Sequence, residues 1–88
     1  MSYRHTDRLD QYGHRLLRRK EVEHKTGKAR STLYADIARG TFPAPVPIGN
    51  NSVAWLEEEV DRWIDDRLHQ RNAQLAAIQT TVAQEARL

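Results

Sequence analysis

The chain has 88 residues, of which 14 are Lys or Arg, 12 are Asp or Glu and four are His, so its formal net charge is +2. A chain of this length forms one domain with a small hydrophobic core and modest stability. Disulfides and thiolate metal sites are excluded because the chain has no cysteine, and since it has no long apolar run, we expect a cytoplasmic protein without a membrane segment.

The charge is unevenly distributed along the chain. Residues 1–39 hold 10 basic and 5 acidic side chains, a net charge of +5, whereas residues 40–88 hold 4 and 7, a net charge of −3. Positive charge concentrated in one half favours binding to a polyanion, although the same charge is compatible with a merely solvated surface.

The N-terminal segment is polar, and its sequence pattern predicts little regular secondary structure. Residues 1–14 lack hydrophobic periodicity, which predicts a flexible arm. A short helix is predicted from about Arg19 to Lys25. Gly27 ends it, because glycine accepts the left-handed conformation found at helix C-termini.

A second helix is predicted from Arg30 to Arg39. Leu33 and Ile37 are one helical turn apart, and Gly40 follows as the C-terminal cap. Only four residues separate the two helices, which is the spacing of a helix-turn-helix.

A β-hairpin is predicted from Phe42 to Trp55. Apolar residues alternate with others on either side of Gly49 to Ser52, which indicates two strands, one apolar face and a four-residue tip. Proline cannot donate a backbone hydrogen bond and is therefore tolerated mainly on edge strands. The three prolines thus predict a lone hairpin whose strands both have a free edge: Pro43, Pro45 and Pro47.

A third helix begins near Leu56. Its apolar residues fall on one helical stripe: Leu56, Val60, Trp63, Ile64 and Leu68. Leu75, Ile78 and Val82 continue at spacings typical of a coiled coil, so residues 71–88 are predicted to form a helical extension that pairs with another subunit. A frayed or disordered end is the alternative, because Arg71 and Glu85 interrupt the stripe and short isolated helices are marginal in water.

These elements predict a mainly α fold, a small winged helix-turn-helix over residues 15–70 with a C-terminal extension. In such a fold the second helix enters the major groove of DNA, and the hairpin wing lies on the adjacent backbone or minor groove. With Leu33 and Ile37 turned inward, the opposite face of the second helix is small or hydrogen-bonding. The predicted DNA-binding residues are Arg18, Arg19, Lys28, Arg30, Ser31, Thr32, Tyr34, Ala35, Arg39, Asn50, Asn51 and Ser52.

Three stretches, "LLRRKEV", "TGKARSTLYADIARGTFPAPVPIG" and "SVAWLEEEVDRWI", together resemble the AlpA-type phage and prophage regulators, small relatives of excisionases with a MerR-like winged helix-turn-helix. The resemblance covers about Leu16 to Arg67. It implies a regulator that binds double-stranded DNA of a mobile element, either to control transcription or to bend attachment-site DNA as an excision factor. It implies no catalytic residue and no cofactor. The chain departs from the family pattern at Glu23, Lys25, Lys28 and Ala29, and at Asn50 and Asn51, where an arginine is common.

Two other classes of function are compatible with parts of the sequence. A protein-binding adaptor would use the acidic third helix and the tail to recruit a partner. An enzyme is disfavoured because no glycine-rich phosphate loop exists, no metal site is indicated, and the histidines are scattered at positions 5, 14, 24 and 69.

Overall fold

The computed structural model describes residues 13–86, with side chains up to residue 82. Its elements in chain order are β1 (Leu16–Leu17), α1 (Arg19–Thr26), α2 (Arg30–Arg39), β2 (Val46–Gly49), β3 (Ser52–Leu56) and α3 (Glu57–Ala86). This order is the predicted winged helix-turn-helix with a C-terminal helix. The predicted N-terminal arm lies outside the described residues except for positions 13 and 14. Within the described range, no helix has the length and hydrophobicity needed to cross a membrane.

The two short helices end as the sequence predicts. Gly27 follows α1 with φ of 77° and donates its N–H to the Glu23 carbonyl at 2.8 Å. Gly40 follows α2 with the same φ and donates to the Ile37 carbonyl at 3.0 Å, and Thr41 N–H bonds to the Asp36 carbonyl at 2.9 Å. These left-handed glycines turn the chain sharply after each helix.

The hairpin is part of a three-stranded antiparallel sheet of order β1-β3-β2, so the prediction of a lone hairpin was wrong. Leu16 pairs with Leu56 and Leu17 with Trp55, and the Glu57 N–H reaches the Arg15 carbonyl at 2.8 Å. The two residues of β1 therefore cover the edge of β3 that was predicted to be free. β2 lies at the other edge of this sheet and carries Pro47. Because proline lacks a backbone N–H, an edge strand is where it removes no hydrogen bond between strands.

The tip of the hairpin is tighter than predicted. Gly49 pairs directly with Ser52, so the turn has two residues, Asn50 and Asn51, instead of four. Asn51 has φ of 58°, a left-handed conformation that asparagine tolerates better than most residues. A register shift between Pro47 and Gly49 bulges the strand just before this turn.

The hydrophobic core lies between α1, α2, the sheet and the first turns of α3. It consists of Leu17, Val22, Leu33, Phe42, Trp55 and Val60, with Ile37, Val53, Trp63 and Ile64 packed around it. Val46 and Ile48 of β2 are exposed, in contrast to the apolar strand face that the sequence indicates. They are exposed because β2 extends away from the core as a wing, and β3 supplies the buried residues of the hairpin.

The third helix is a single element of 30 residues that passes through the predicted domain boundary at residue 70 without a break. Val60 is buried, whereas Leu68, predicted to continue the packed stripe, is exposed. The apolar residues beyond it are exposed as well, because the compact domain ends before them. The helix is the reason why the described chain measures 65 Å along its longest axis.

Candidate nucleic-acid interface

The outer face of α2 is a surface of small and polar side chains. Leu33 is fully buried and Ile37 is half-buried, which fixes the rotation of the helix against the core. Among the exposed side chains of α2, five point away from the core, and they define the α2 outer face: Ser31, Thr32, Ala35, Ala38 and Arg39. Their small volume allows the helix backbone to come close to another surface, and the hydroxyls and the guanidinium supply hydrogen bonds.

The turn between α1 and α2 is held by Thr26, which the sequence analysis did not single out. Its hydroxyl donates to the Val22 carbonyl at 2.8 Å and accepts the Lys28 N–H at 3.2 Å. One side chain thus ties the last turn of α1 to the start of the connection. In the sequence, the signal for this role was a threonine directly before the glycine that ends α1.

Lys28 is directed inward. Its Nζ lies 2.5 Å from Asp36 Oδ2, and it lies 4.9 Å from the ring centroid of Trp63. The lysine side chain therefore connects the turn, α2 and α3 through an ion pair and a cation–π contact. A residue predicted from sequence to face DNA is engaged within the domain.

Asp36 is the acceptor around which these cations gather. Its second oxygen lies 3.4 Å from Arg39 Nη2. The hydrogen bond from Lys28, reinforced by the charges of Lys28 and Arg39, lowers the pKa of the Asp36 carboxyl below its ordinary 3.8. Arg39 remains 68% exposed, so its long pairing with Asp36 leaves the guanidinium accessible at the end of α2.

Two tryptophans hold the segment that joins α2 to the wing. Trp55 Nε1 donates to the Pro43 carbonyl, and Trp63 Nε1 donates to the Thr41 carbonyl, both at 3.0 Å. Phe42 packs edge-on against Trp63 with ring centroids 5.1 Å apart. From the sequence, both tryptophans are expected only to pack as apolar residues. In the structure their indole N–H groups also hold the segment between α2 and the wing.

Tyr34 lies at the rim of the core. Its ring meets Trp55 edge-on at 6.3 Å between centroids, and the residue is 39% exposed. The packed ring leaves part of the side chain open to solvent on the same helix as the α2 outer face.

The wing tip is formed by Asn50, Asn51 and Ser52. Asn50 and Asn51 are exposed, and the Ser52 hydroxyl donates to the Asn50 carbonyl at 3.5 Å. Within the described part of the chain, no hydrogen bond joins this tip to α2. The fold therefore presents the predicted residues as two separate surfaces, the α2 outer face and the wing tip.

The basic residues predicted to bind DNA differ in whether a carboxylate lies within ion-pair distance of them. Arg19 pairs with Glu23 at 2.9 Å, one helical turn away. Over residues 13–82, no carboxylate lies within ion-pair distance of Arg18, Lys20 or Arg30, and all three are exposed. Arg18 precedes α1, Lys20 lies in its first turn, and Arg30 begins α2 directly after Ala29, which offers no side-chain cap.

Another part of the positive charge is used to attach α3. Glu57, the first residue of α3, receives Arg15 Nη1 at 3.1 Å and Lys25 Nζ at 2.9 Å, and Lys25 also lies 2.6 Å from Asp61. The hydrogen bond to Asp61, followed by that to Glu57, raises the pKa of Lys25 above 10.5. The charged residue that departs from the family pattern at position 25 is thus part of the packing between α1 and α3.

The histidine and carboxylate side chains of the described residues do not gather into a metal site. No three His, Cys, Asp or Glu residues in that range come together in a geometry that could hold a metal ion. His14 is bonded to Glu58, and His24 and His69 are exposed on different helices.

A family model described as "Prophage CP4-57 regulatory protein (AlpA)" matches residues 15–68. This segment contains both short helices, the whole sheet and the part of α3 that packs on the core. It ends where the exposed half of α3 begins.

Two curated proteins are similar to the chain. A protein of Enterobacteria phage P4, described as uncharacterized protein ORF88, is 46% identical over 54 residues, which is 61% of each chain. The DNA-binding transcriptional activator AlpA of Escherichia coli strain K12 is 39% identical over 59 residues, covering 60% of this chain and 84% of that protein. The chain thus spans about three fifths of the first relative's length. No solved structure matches the chain.

Proposed function

The chain belongs to the AlpA family of prophage regulatory proteins, and on that basis we propose that it is a sequence-specific DNA-binding transcriptional regulator of a phage or other mobile element. In this proposal α2 lies in the major groove and the wing tip lies on the adjacent backbone or minor groove. The protein acts in the cytoplasm and needs no cofactor.

The observation that carries the proposal is the α2 outer face. It combines short side chains with Arg39 at its accessible end, whereas the opposite side of the helix is committed to the core. A major groove about 12 Å wide admits such a helix, and an arginine at its end reaches the O6 and N7 acceptors of a guanine. Ser31 and Thr32 hydrogen-bond base edges or phosphates in the same approach.

Phosphate contacts in this proposal come from residues around the helix starts. Arg18, Arg19 and Lys20 lie around the start of α1, and Arg30 begins α2, whose N–H groups have no side-chain cap and add positive potential. Lys28 contributes indirectly, because its ion pair with Asp36 holds α2 in place. Tyr34 and the asparagines of the wing tip add hydrogen bonds at the edges of the interface.

We further propose that the protein acts as a homodimer through the exposed half of α3. The described apolar side chains beyond the core are exposed there, and the spacing of Leu68, Leu75, Ile78 and Val82 is that of a helix–helix seam.

The experiment that tests this function is selection of bound duplexes from a random DNA library by the full chain at near-physiological salt. A single enriched motif is expected. Uniform recovery of all sequences would overturn the sequence-specific proposal, and the absence of any retained DNA would overturn DNA binding itself.

A further inference from the structure

The wing carries no charge. Residues 40–56, which run from the end of α2 through β2, the tip and β3, contain no Asp, Glu, Lys, Arg or His, although 30% of the residues of the chain are charged. A surface that lies along the phosphate backbone of DNA draws its affinity mainly from Lys and Arg side chains, which neutralise phosphates. The composition of the wing is therefore poorly suited to the backbone.

Ile48 is the apolar residue that the wing presents beside its tip. Pro47 pairs with Val53 and Gly49 pairs with Ser52, so the register shift leaves Ile48 without a partner on β3. A bulge of this kind bends a strand and redirects the side chain of the extra residue. Ile48 is 44% exposed and takes no part in the hydrophobic core. Its exposed surface is available for contact with another molecule.

We propose that the wing enters the minor groove, with its tip at the groove floor and Ile48 packed against a deoxyribose wall. This inference rests on the DNA binding proposed above, and it chooses between the two positions of the wing, backbone and minor groove, that the proposed function leaves open. Minor-groove proteins read A·T pairs with residues such as asparagine and add apolar contacts inside the groove. The wing combines both kinds of residue, since Asn50 and Asn51 form the turn and Ile48 lies directly behind it.

The dimensions of the hairpin separate Ile48 from Val46, the other exposed apolar residue of β2. The minor groove of B-DNA is about 6 Å wide and about 7.5 Å deep, which admits the tip of a two-residue turn more readily than the whole hairpin. At about 3.3 Å per residue, Ile48 lies about 7 Å behind Asn50 along the strand, and Val46 lies about 13 Å behind it. With the tip at the floor, Ile48 is within the depth of the groove and Val46 stays outside it. Val46 is 39% exposed and therefore provides a matched control.

An uncharged wing in the minor groove has two consequences that a wing on the backbone lacks. Its contacts neutralise no phosphates, so they contribute equally at every salt concentration. They also favour A·T pairs, because guanine places an amino group in the minor groove where adenine has none. The wing is thus a salt-insensitive reader of A·T pairs beside the site of α2.

The role of Ile48 is tested by fluorescence anisotropy with the full chain and the enriched duplex of the selection described above, over a series of salt concentrations. Ile48→Ala is expected to bind about threefold to tenfold more weakly than the wild type at every salt concentration, because it loses part of an apolar contact. The slope of log K against log salt is expected to stay unchanged, and Val46→Ala is expected to bind like the wild type. An unchanged affinity of Ile48→Ala, equal losses in the two variants, or a changed slope in Ile48→Ala would overturn the assignment.

The position of the wing is tested with 2,6-diaminopurine in place of each adenine of the duplex in turn. This base adds an amino group to the minor groove and leaves the major-groove pattern of adenine unchanged. The wild type is expected to lose about fivefold or more in affinity at one or two A·T pairs beside the α2 motif. The loss is expected to shrink in Asn50→Ala and to persist in Val46→Ala. No loss at any adenine, or the same loss in Asn50→Ala, would overturn the minor-groove position.

These results distinguish a failure of the wing from a failure of the proposed function. A wild type that enriches a motif, but shows neither the Ile48 effect nor the diaminopurine effect, would refute the minor-groove wing and leave sequence-specific binding through α2 intact. A wild type that retains no duplex would overturn both.

Discussion

Lys28 in the turn and Asp36 in the middle of α2 form an ion pair of 2.5 Å beneath the helix that carries the proposed base contacts. Trp63 of α3 lies against the same lysine. This contact joins three elements whose relative positions decide where the α2 outer face points. The charged residue in the turn between α1 and α2 therefore helps to hold α2 in place.

The Asp36 carboxylate is expected to stabilise the fold in a pH-dependent way. Its folded-state pKa is lowered by Lys28 and Arg39, so its contribution is present above its ordinary pKa of 3.8 and is lost as the pH falls through the lowered folded value. Urea unfolding should show Asp36→Asn less stable than the wild type at pH 6, with the difference shrinking below pH 3.8. Asp65→Asn, on the exposed side of α3, is the matched control and should show a small difference at every pH. A gap for Asp36→Asn that does not shrink at all as the pH is lowered below 3.8 would contradict this account.

Lys25 is expected to stabilise the attachment of α3 to α1. Lys25→Gln removes the contacts with Glu57 and Asp61 and should cost about 1 kcal/mol at pH 7, since a third of the side chain is exposed and the pair is partly screened. The raised pKa means that this stabilisation is complete below pH 10.5 and is lost as the pH rises through the higher folded value. Lys20→Gln, which removes an exposed lysine of the same helix, should change the unfolding free energy little. Equal effects of the two substitutions would show that the contacts of Lys25 add nothing to stability.

The two tryptophans are expected to contribute unequally. Trp55→Phe loses the bond to the Pro43 carbonyl and leaves unfilled space in the core, which should cost about 2–4 kcal/mol. Trp63→Phe loses a more exposed bond to the Thr41 carbonyl and should cost about 1 kcal/mol. Thermal unfolding followed by circular dichroism compares the two variants directly. A larger loss of stability for Trp63→Phe would mean that the segment between α2 and β2 contributes more to stability than the core around Trp55.

The number of phosphate contacts is expected to be small. If Arg18, Arg19, Lys20 and Arg30 each neutralise a phosphate and release counterions, log K should fall with log salt at a slope of about −3 to −4. Arg30→Gln should reduce the magnitude of that slope by about 0.9, whereas Lys25→Gln should leave it unchanged, because Lys25 is bound to carboxylates. Fluorescence anisotropy over a salt series measures both. A slope that does not change in Arg30→Gln would remove that residue from the interface.

The elements that local rules govern could be predicted closely from the sequence. Gly27 and Gly40 mark helix ends because few other residues adopt a left-handed conformation, and the bounds of α2 follow from Leu33, Ile37 and that cap. β1 could not be predicted, because two leucines form a strand only when β3 is present to pair with them. The two-residue turn likewise depends on a bulge in β2, which leaves no pattern in the sequence.

The position of the candidate site could be predicted from the sequence, but the ion pairs and hydrogen bonds that hold it could not. Helical periodicity places Ser31, Ala35 and Arg39 on one face, and the structure has them exposed. Periodicity cannot show that Lys28 turns toward Asp36, since that contact depends on how sharply the chain bends between the helices. It also cannot distinguish an indole that only packs from one that donates to a linker carbonyl.

The central claim is that α2 reads base edges in the major groove through Arg39. The most direct measurement is the affinity of the wild type, Arg39→Ala and Arg39→Lys for the selected duplex and for the same duplex with 7-deazaguanine at each guanine in turn. Removing N7 changes the major groove alone. At one guanine the wild type should lose about 1–3 kcal/mol on deaza substitution, while Arg39→Ala should lose nothing further and Arg39→Lys should not restore the wild-type affinity. Equal losses in the wild type and Arg39→Ala at every guanine, or full rescue by lysine, would contradict the account.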